Sequence, residues 1–315
     1  MKVLVTAPIK RFHRVIKELE SFSDLTIKEY LDQKELIKII HKFDGLIPNA
    51  RIPINKKVID AAHKLKGVYQ PSLGYEHIDT VSLKENKILF GCLAFDKKFK
   101  KTLWSTAEHT LTLILSLIKK IHCANERVVK SGEWDNRKFT IEDLRNKTVG
   151  IIGLGNIGSK VAKLSENFGA NIIAHDPYVK SKKYKLVSLN KLCSQADIIT
   201  LHVPFNKETR NILSYKQFIK MKNNVCLINT SRGGTVNESE LKKFLMNNKN
   251  FLYGADVLEG ESPFGVQNNP LVKLSKKQDN LLITPHIGGS SYQYMEKIFI
   301  HSAKKLRYFL FNKIS

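Results

Sequence analysis

The chain has 315 residues, of which 42% are hydrophobic, and its 52 lysines and arginines against 29 aspartates and glutamates give a formal net charge of +23. This length is too great for one ordinary core and predicts two domains. The sequence has no run of eighteen apolar residues and no CxxC pair among its four cysteines, which argues against a membrane span, a metal site and disulfides. We expect a cytoplasmic protein with reduced thiols.

The positive charge raises the question of a nucleic-acid partner. Lysines are spread along the whole chain, as at 56–57, 97–101, 180–185 and 276–277, without the interleaved aromatic residues on which bases stack. We interpret the charge as a solvated surface and expect no nucleic acid and no membrane as partners. The alternative, a basic scaffold for nucleic acid, would bind with steep salt dependence.

The first hundred residues alternate between two patterns. Short β-branched runs predict strands at 3–7, 44–49, 66–70 and 86–94. Apolar residues at helical spacing predict helices at 11–22, 35–43 and 58–65. The alternation predicts a parallel α/β domain through about residue 98.

The next segment, 105–132, predicts one long, largely buried helix with Ser105 as its N-cap. A second alternating series then begins. Its strands are predicted at 149–152, 171–176, 197–203, 225–231, 252–258 and 281–286. Six strands that alternate with helices are typical of a doubly wound dinucleotide-binding sheet.

The last segment, 290–311, predicts one amphipathic helix that is too short to form a domain and is expected to return to the first domain. The predicted fold is therefore two parallel α/β domains, with a Rossmann dinucleotide-binding domain inserted into a flavodoxin-like substrate domain. The substrate domain comprises 1–98 plus 288–315, and the dinucleotide-binding domain comprises 99–287.

The motif GLGNIG follows the first strand of the second series and opens a helix. Its glycines, Gly153, Gly155 and Gly158, allow a tight turn, a close approach of pyrophosphate and helix packing, and the helix start, at Asn156 and Ile157, offers N–H groups to phosphate. The next strand ends in Asp176, about twenty residues on, where a carboxylate can accept hydrogen bonds from both ribose hydroxyls. A carboxylate there disfavours a 2′-phosphate, so NAD is predicted over NADP, although nearby lysines at 180–183 could soften that preference.

Topology places the end of another strand, at His202, Val203 and Pro204, beside the adenine. His202 has a second interpretation, as a structural histidine.

The motifs, in their order and spacing, resemble the D-isomer-specific 2-hydroxyacid dehydrogenases, which include D-lactate, glycerate and 3-phosphoglycerate dehydrogenases. The resemblance rests on SGEWDNRKFTIEDLRNKTVGIIGLGNIG, HDPY, LHVPFNKETRNIL, INTSRGGTVNESEL, YGADVLEGE and ITPHIGG. It implies an NAD-dependent oxidoreductase that acts on a small 2-oxo or 2-hydroxy acid with D specificity.

The resemblance implies three catalytic residues, Arg232, Glu261 and His286. A guanidinium can hold a carboxylate and polarise a carbonyl through its donor fork. A histidine can donate the proton that the reduced oxygen needs, and a carboxylate bonded to that histidine favours the imidazolium.

The resemblance also implies roles for four other residues. Asp256 would face the nicotinamide carboxamide, with Thr230 in the same pocket. In PSLGYEHID, the backbone of Leu73 and Gly74 would receive the substrate carboxylate, together with Arg232 and His286. Leucine at 73 and glutamate at 261 disfavour the related phosphite and formate dehydrogenases, which carry lysine and glutamine there.

The chain departs from the family pattern at two places. Asn237 replaces a common aspartate, and we expect it to cap a helix, with Glu240 completing a capping box. The segment GCLAFDKKFKKTLWSTAEH replaces the usual Asn-x-Pro-Gly turn. There Phe95 and Trp104 could form an apolar pocket, and the lysines between them could attract a second anionic group.

The related enzymes dimerise through the long helix and the arm at 126–140, so the resemblance implies a homodimer. An alternative from another class is a dehydrogenase-like NADH-sensing binding protein, because some such relatives keep the Arg, Glu and His set.

Overall fold

A computed structural model describes residues 1–29, 31–261 and 265–312 and divides the chain into two compact units. The first unit comprises Met1–Leu103 and the segment from Ser291 on, and the second comprises Trp104–Ser290. The sequence placed the first boundary at 98/99. The structure assigns the residues up to Leu103 to the first unit because Asp96 caps a helical turn there and its carboxylate pairs with Lys305 of the last helix, 3.4 Å away.

The first unit is built on a five-stranded parallel sheet with the order β2-β1-β3-β4-β5, the order of flavodoxin-like folds. Its strands are β1 Lys2–Val5, β2 Asp24–Ile27, β3 Gly45–Ile47, β4 Gly67–Gln70 and β5 Leu89–Cys92. Its helices are α1 His13–Glu20, α2 Gln33–Ile39, α3 Lys56–Asp60, α4 Thr80–Glu85, α5 Lys97–Lys100 and α13 Tyr292–Phe311. The sheet has helices on both faces, as its near-continuous apolar strands require.

The last helix, α13, packs its apolar face into the core of the first unit. Phe299 is 2% exposed and its ring lies 5.8 Å from that of Phe12, while Leu306 is fully buried. Tyr308, on the opposite face, is 55% exposed. The amphipathic pattern therefore places this helix against β3 and β4.

The second unit is built on a seven-stranded parallel sheet with the order β12-β11-β10-β9-β6-β7-β8, the doubly wound order with one added edge strand. Its strands are β6 Thr148–Ile152, β7 Asn171–His175, β8 Lys185–Leu186, β9 Ile198–Leu201, β10 Cys226–Asn229, β11 Leu252–Ala255 and β12 Leu281–Ile283. Its helices are α6 Ser105–Ile118, α7 Ile121–Ser131, α8 Asn156–Asn167, α9 Leu189–Gln195, α10 Tyr215–Phe218, α11 Glu238–Asn247 and α12 Pro270–Ser275. The predicted α/β class is confirmed in both units.

Six strands of this sheet end in one row. The last residues pair across the sheet in the sequence His175, Ile152, Leu201, Asn229, Ala255, Ile283. All six carboxyl ends therefore lie at one edge, where doubly wound sheets bind ligands.

The sequence missed two strands. Strand β2 extends the first sheet although its DLTI sequence is short and flanked by polar residues, and β8, only two residues long, makes seven strands where six were predicted. Both lie at sheet edges, where the long apolar run of a buried strand is not required.

The prediction of one long helix at 105–132 is wrong. Lys120 adopts the left-handed conformation, with φ +52°, and separates α6 from α7. The N–H of Glu142, far along the chain, donates to the carbonyl of Ile118 at 3.0 Å and so takes the acceptor that a continuing helix would use. Helix α7 has a single buried residue, Cys123, so the second half of the segment is not largely buried.

The N-cap expected at Ser105 is also wrong. Trp104 occupies that position, and the hydroxyl of Ser105 donates instead to the carbonyl of Gly288 at 2.7 Å.

The four cysteines are buried free thiols, as the sequence predicts. Burial raises the pKa of Cys193 to about 12, so this thiol stays protonated and unreactive at neutral pH. In the part of the chain that the structure describes, no helix has the length and apolarity needed to cross a bilayer.

The buried aromatic face of α13 generates a stability prediction. We expect Phe299→Ala to destabilise the first unit by about 3–5 kcal/mol, because it removes a large side chain from a closed core. Tyr308→Ala, the control on the exposed face of the same helix, should stay within about 0.5 kcal/mol of wild type. Urea unfolding followed by circular dichroism measures both, and equal losses in the two variants would contradict this packing.

Candidate active site

The GLGNIG loop joins β6 to α8 at the edge where the strands end. Gly153 has φ +90°, which favours glycine, and a Cβ on Gly158 would lie 2.0 Å from the carbonyl oxygen of Gly153, so helix and loop touch only because Gly158 has no side chain. At Gly155, the N-cap of α8, a Cβ would meet no atom within 4 Å. The N-cap of α8, just before Asn156 and Ile157, therefore borders open space, as a bound pyrophosphate requires.

Asp176 follows the end of β7 and supports this loop. Its carboxylate accepts the backbone N–H of Leu154, inside the GLGNIG loop, and that of Tyr178, each at 2.9 Å. Carboxylate oxygens have further lone pairs, so both can also accept a ribose hydroxyl. The position fits the role that the sequence predicts for Asp176.

His202 lies just beyond β9, beside the glycine loop. Its Nε2 lies 3.0 Å from the hydroxyl of Thr200, and burial lowers the pKa of His202 to about 3, so the ring is neutral at physiological pH. A Cβ on Gly153 would lie 2.7 Å from the carbonyl oxygen of His202 and close to Val203. This contact fits the structural interpretation of His202; its contact with adenine, like that of Val203 and Pro204, stays a prediction.

Arg232 lies three residues beyond β10, in a loop that Asn229 organises. The Asn229 side chain is fully buried; its amide donates to the carbonyl of Arg232 at 3.0 Å, and its oxygen accepts the N–H and hydroxyl of Ser231. The guanidinium of Arg232 donates to the carbonyl of Ser231 at 2.8 Å. The loop therefore holds the arginine by its backbone and by one arm of its side chain.

Two neighbours of Arg232 set the position of this loop. A Cβ on Gly233 would lie 2.0 Å from the carbonyl carbon of Leu258, so this glycine lets the loops after β10 and β11 touch. Thr230, 7% exposed, directs its hydroxyl to that of Thr110 on α6, 2.9 Å away. The predicted contact of Thr230 with the cofactor is not tested by this bond and stays a prediction.

Glu261 and His286 form a pair at the same edge. They follow β11 and β12, and the Oε1 of Glu261 lies 2.7 Å from the Nδ1 of His286. Because a carboxylate only accepts, Nδ1 carries the hydrogen and Nε2 is left to act on a ligand. The two side chains are 39% and 44% exposed, so both remain accessible from solvent.

The carboxyl of Glu261 has a perturbed pKa. Burial alone would raise it, but the bond and charge of His286, the N–H of Leu258 and the charge of Arg232 together hold the pKa of Glu261 below its ordinary value of 4.5. Glu261 is therefore ionised at neutral pH, the state that stabilises an imidazolium.

His286 is held in a turn by Asp256. His286 has φ +57°, a region that non-glycine residues rarely adopt, and the N–H groups of the next two residues, Ile287 and Gly288, donate to the Asp256 carboxylate at 2.8 and 2.7 Å. The hydroxyl of Thr284 donates to the same carboxylate at 2.6 Å. Asp256 is 2% exposed, and these three hydrogen bonds to its buried carboxylate hold the backbone turn at His286 in place. Its contact with nicotinamide stays a prediction.

Sequence reasoning missed two supporting residues. His109 on α6 lies 3.0 Å from the Thr284 hydroxyl and 3.3 Å from Asp256, completing the network behind the histidine turn. Glu238, 3% exposed at the start of α11, accepts the N–H of Glu259 at 2.7 Å and the amide of Asn269 at 2.6 Å. Burial raises the pKa of Glu238. His109 lies in the AEH sequence and Glu238 in the NESEL sequence, both within segments compared with the family above. Their place in those segments was the available signal.

Of the capping prediction near Arg232, the cap at Asn237 is confirmed and the capping box with Glu240 is wrong. The side chain of Asn237 accepts the N–H of Glu240 at 3.1 Å and caps α11. Glu240 does not return to the cap; its carboxylate accepts the N–H of Tyr215 at 2.7 Å and ties α11 to α10.

The remaining predicted residues are described within their own units. In the loop after β4, the hydroxyl of Ser72 donates to the carbonyl of Gly74 at 2.6 Å, and Leu73 packs on the core of the first unit. Phe95 contacts the rings of Tyr75 and Phe90.

Trp104, in the segment that replaces the Asn-x-Pro-Gly turn, belongs to the second unit. Its ring is covered by Lys160 and Lys163 of α8, with ammonium nitrogens 5.3 and 5.9 Å from the centroid. The substrate-binding roles of Leu73, Gly74, Phe95, Trp104 and the lysines at 97–101 stay predictions.

Comparison with known proteins identifies the family. Residues 111–288 match the D-isomer specific 2-hydroxyacid dehydrogenase, NAD binding domain. The chain is 34% identical over 296 residues to D-3-phosphoglycerate dehydrogenase of Archaeoglobus fulgidus, covering 92% of the chain and 54% of that protein. It is 33% identical over 283 residues to hydroxypyruvate reductase of Thermotoga maritima, covering 88% of each.

A solved structure agrees with these relatives. The crystal structure of D-lactate dehydrogenase from Aquifex aeolicus with NAD and lactic acid superposes with a TM-score of 0.83 and 26% identity, over 98% of this chain and 95% of that one. The chain spans about half the length of the phosphoglycerate dehydrogenases it matches, 54% for the two archaeal proteins.

The lowered pKa of Glu261 generates a pH prediction. A carboxyl with a lowered folded-state pKa stabilises the protein above its ordinary pKa and loses that contribution as the pH falls through the lowered value. Wild type should therefore melt higher than Glu261→Gln at pH 7, and the difference should shrink below about pH 4.5. Thermal melts between pH 7 and pH 3 measure this, with Glu259→Gln as the neighbouring control; a difference that does not depend on pH would contradict the pair.

Proposed function

The chain belongs to the D-isomer specific 2-hydroxyacid dehydrogenase family, and on that premise we propose that it transfers a hydride between NAD(H) and C2 of a 2-hydroxy or 2-oxo acid, with D specificity by resemblance. The observation that carries the proposal is the 2.7 Å contact between Glu261 and His286 at the strand edge that also holds Arg232. These are the groups that reduction of a 2-oxo acid requires.

Each of the three residues has one task. The guanidinium of Arg232 binds the substrate carboxylate and the C2 oxygen, and so polarises the carbonyl. NADH, when bound, supplies the hydride that reaches C2. The Nε2 of His286 donates a proton to the C2 oxygen as negative charge develops there, and Glu261, by accepting from Nδ1, holds the imidazolium in place. In the reverse direction His286 accepts the proton.

We assign the cofactor to the loops after β6, β7, β9, β10 and β11. The support is the open space at Gly155, the N-cap of α8, and the carboxylate of Asp176. The assigned residues are Gly153, Gly155, Asn156, Ile157, Gly158, Asp176, His202, Val203, Pro204, Thr230 and Asp256.

The names of the relatives suggest which substrates to test first. They act on 3-phosphoglycerate, hydroxypyruvate or lactate, as their names state. All share a carboxylate next to the reacting carbon and differ beyond it. The residues that would distinguish them lie outside the Arg232, Glu261 and His286 group.

The catalytic assignment generates an activity prediction. Purified protein with NADH and a panel of pyruvate, hydroxypyruvate and phosphohydroxypyruvate should oxidise NADH with at least one of them. Arg232→Ala and His286→Ala should each lower kcat/KM by about 100-fold or more, because each removes a group that acts on the C2 oxygen. Absorbance at 340 nm measures the rate.

The controls are Arg145→Ala and His41→Ala, two exposed residues that are not among those assigned to the site, which should keep wild-type rates. Turnover that survives both active-site changes would overturn the site assignment. NADH binding without turnover on any 2-oxo acid would favour the NADH-sensing alternative.

We also propose that the protein is a cytoplasmic homodimer. For the dimer the support is a set of exposed apolar side chains on and after α7: Ile121 at 55%, Val129 at 74%, Trp134 at 90% and Ile141 at 52%. A monomeric protein rarely exposes a large group of apolar side chains to solvent. For the compartment the support is the four buried free thiols, which suit a reducing environment.

The exposed group around α7 generates an assembly prediction. Wild type should sediment as a dimer at micromolar concentration, and Trp134→Ser combined with Val129→Ser should shift it toward monomer, because both side chains lose their apolar partner surface. Ile219→Ser, at a residue 57% exposed on another part of the second unit, is the control and should leave the dimer intact. A wild-type monomer in analytical ultracentrifugation would rule the dimer out.

A further inference from the structure

Lys160 is a buried lysine on the helix that opens at the GLGNIG loop. It is 8% exposed and lies four residues after Asn156, hence one turn along the same face of α8. Its Nζ donates to the side-chain oxygen of Asn156 at 3.1 Å and lies 5.3 Å from the centre of the Trp104 ring. Side chains on a helix lean toward its N-terminus, so the ammonium points at the start of α8.

The position disfavours a positive charge in two ways. Burial lowers the pKa of Lys160, which means that the charged form has lost hydration. The N-terminal turns of a helix already carry the positive end of its dipole, which repels a cation. The neighbours Val161 and Ala162 are fully buried apolar residues, so packing alone would be served as well by an apolar side chain at 160.

A bound dinucleotide would reverse that balance. Its pyrophosphate carries two negative charges and, in a doubly wound sheet, sits at the start of this helix. The helix dipole still repels a cation one turn behind the phosphates, but the attraction of the two phosphate charges then opposes that repulsion.

We propose that Lys160 is a positioning residue for the pyrophosphate of the cofactor, acting through its charge and through its bond to Asn156. The inference rests on the proposed function. An ammonium only donates, so it keeps the oxygen of the Asn156 side chain on its own side and turns the amide group away. Trp104 covers the ammonium and keeps water from screening its charge.

Lys163 provides a matched comparison. It lies on the same helix, and its ammonium lies 5.9 Å from the same Trp104 ring, but its side chain is exposed and it is almost one further turn from the start of α8. If the effect depended on total charge or on contact with Trp104, the two lysines would be equivalent. The proposal makes them different.

The test measures cofactor binding rather than turnover. Wild type, Lys160→Met and Lys163→Met are titrated with NADH by fluorescence and with ADP-ribose by calorimetry, because ADP-ribose has the pyrophosphate and lacks nicotinamide. Lys160→Met should bind both ligands about tenfold more weakly, the typical loss for one charge-assisted contact. Lys163→Met should stay within about twofold of wild type.

Two further readouts separate this role from a structural one. The dependence of log Kd on log salt should be shallower in Lys160→Met than in wild type, because one cation near the phosphates is gone. Without ligand, Lys160→Met should melt at or above the wild-type temperature, whereas a lysine needed for packing would lower it.

The outcomes distinguish the two proposals. Failure of wild type to bind NADH would overturn the proposed function and this inference together. Binding by wild type and equal binding by Lys160→Met would overturn the inference alone. If Lys160→Met does not fold, Lys160→Arg, which keeps the charge, is compared with Lys160→Gln, which keeps only a donor; tighter NADH binding by the arginine variant is expected, and equal binding would overturn the role of the charge.

Discussion

Parallel pairing in the second sheet puts six strand ends in one row, from His175 at one side to Ile283 at the other. Neighbouring strands lie about 4.8 Å apart, so β10, β11 and β12 release their loops within about 10 Å of one another. Arg232, Glu261 and His286 leave from those three strands. Backbone hydrogen bonds thus bring together side chains that are distant in the chain, and the glycine loop leaves from the same row.

The row of strand ends determines only where the loops begin, and buried polar groups determine the conformation of those loops. Asn229 and Asp256 lie at 0% and 2% exposure and each satisfies backbone groups of the loop it supports. A buried polar network in which the members are satisfied is rigid, and it can hold His286 at a φ that the residue would otherwise avoid. Rigidity of this kind suits the proposed role of His286 as a proton donor, since a donor must meet the substrate oxygen in one position.

The charge of the molecule acts at two scales. Most of its lysines in the described part of the chain are solvated and give the surface a general attraction for anions, which raises the rate of encounter with anionic ligands. Lys160 is different, because it is buried against Trp104 at the start of α8. The free energy of the charged form of Lys160 depends on which groups lie at the start of α8. That of the surface lysines depends mainly on solvent.

The sequence by itself determined the parallel α/β class, the glycine loop and the family pattern, because buried parallel strands and tight phosphate-binding turns leave local signatures such as VGII and GLGNIG. It also placed Arg232, Glu261 and His286 at strand ends, since a strand is recognised by its own apolar run. It could not show that α6 stops at Ile118, that Glu240 turns to Tyr215, or that Trp104 covers Lys160. Those outcomes depend on groups that the fold brings together from separate parts of the chain. His109 and Thr284, which are 175 residues apart, are a further example. Periodicity reports which face of an element is buried, and only the tertiary structure decides which group lies opposite.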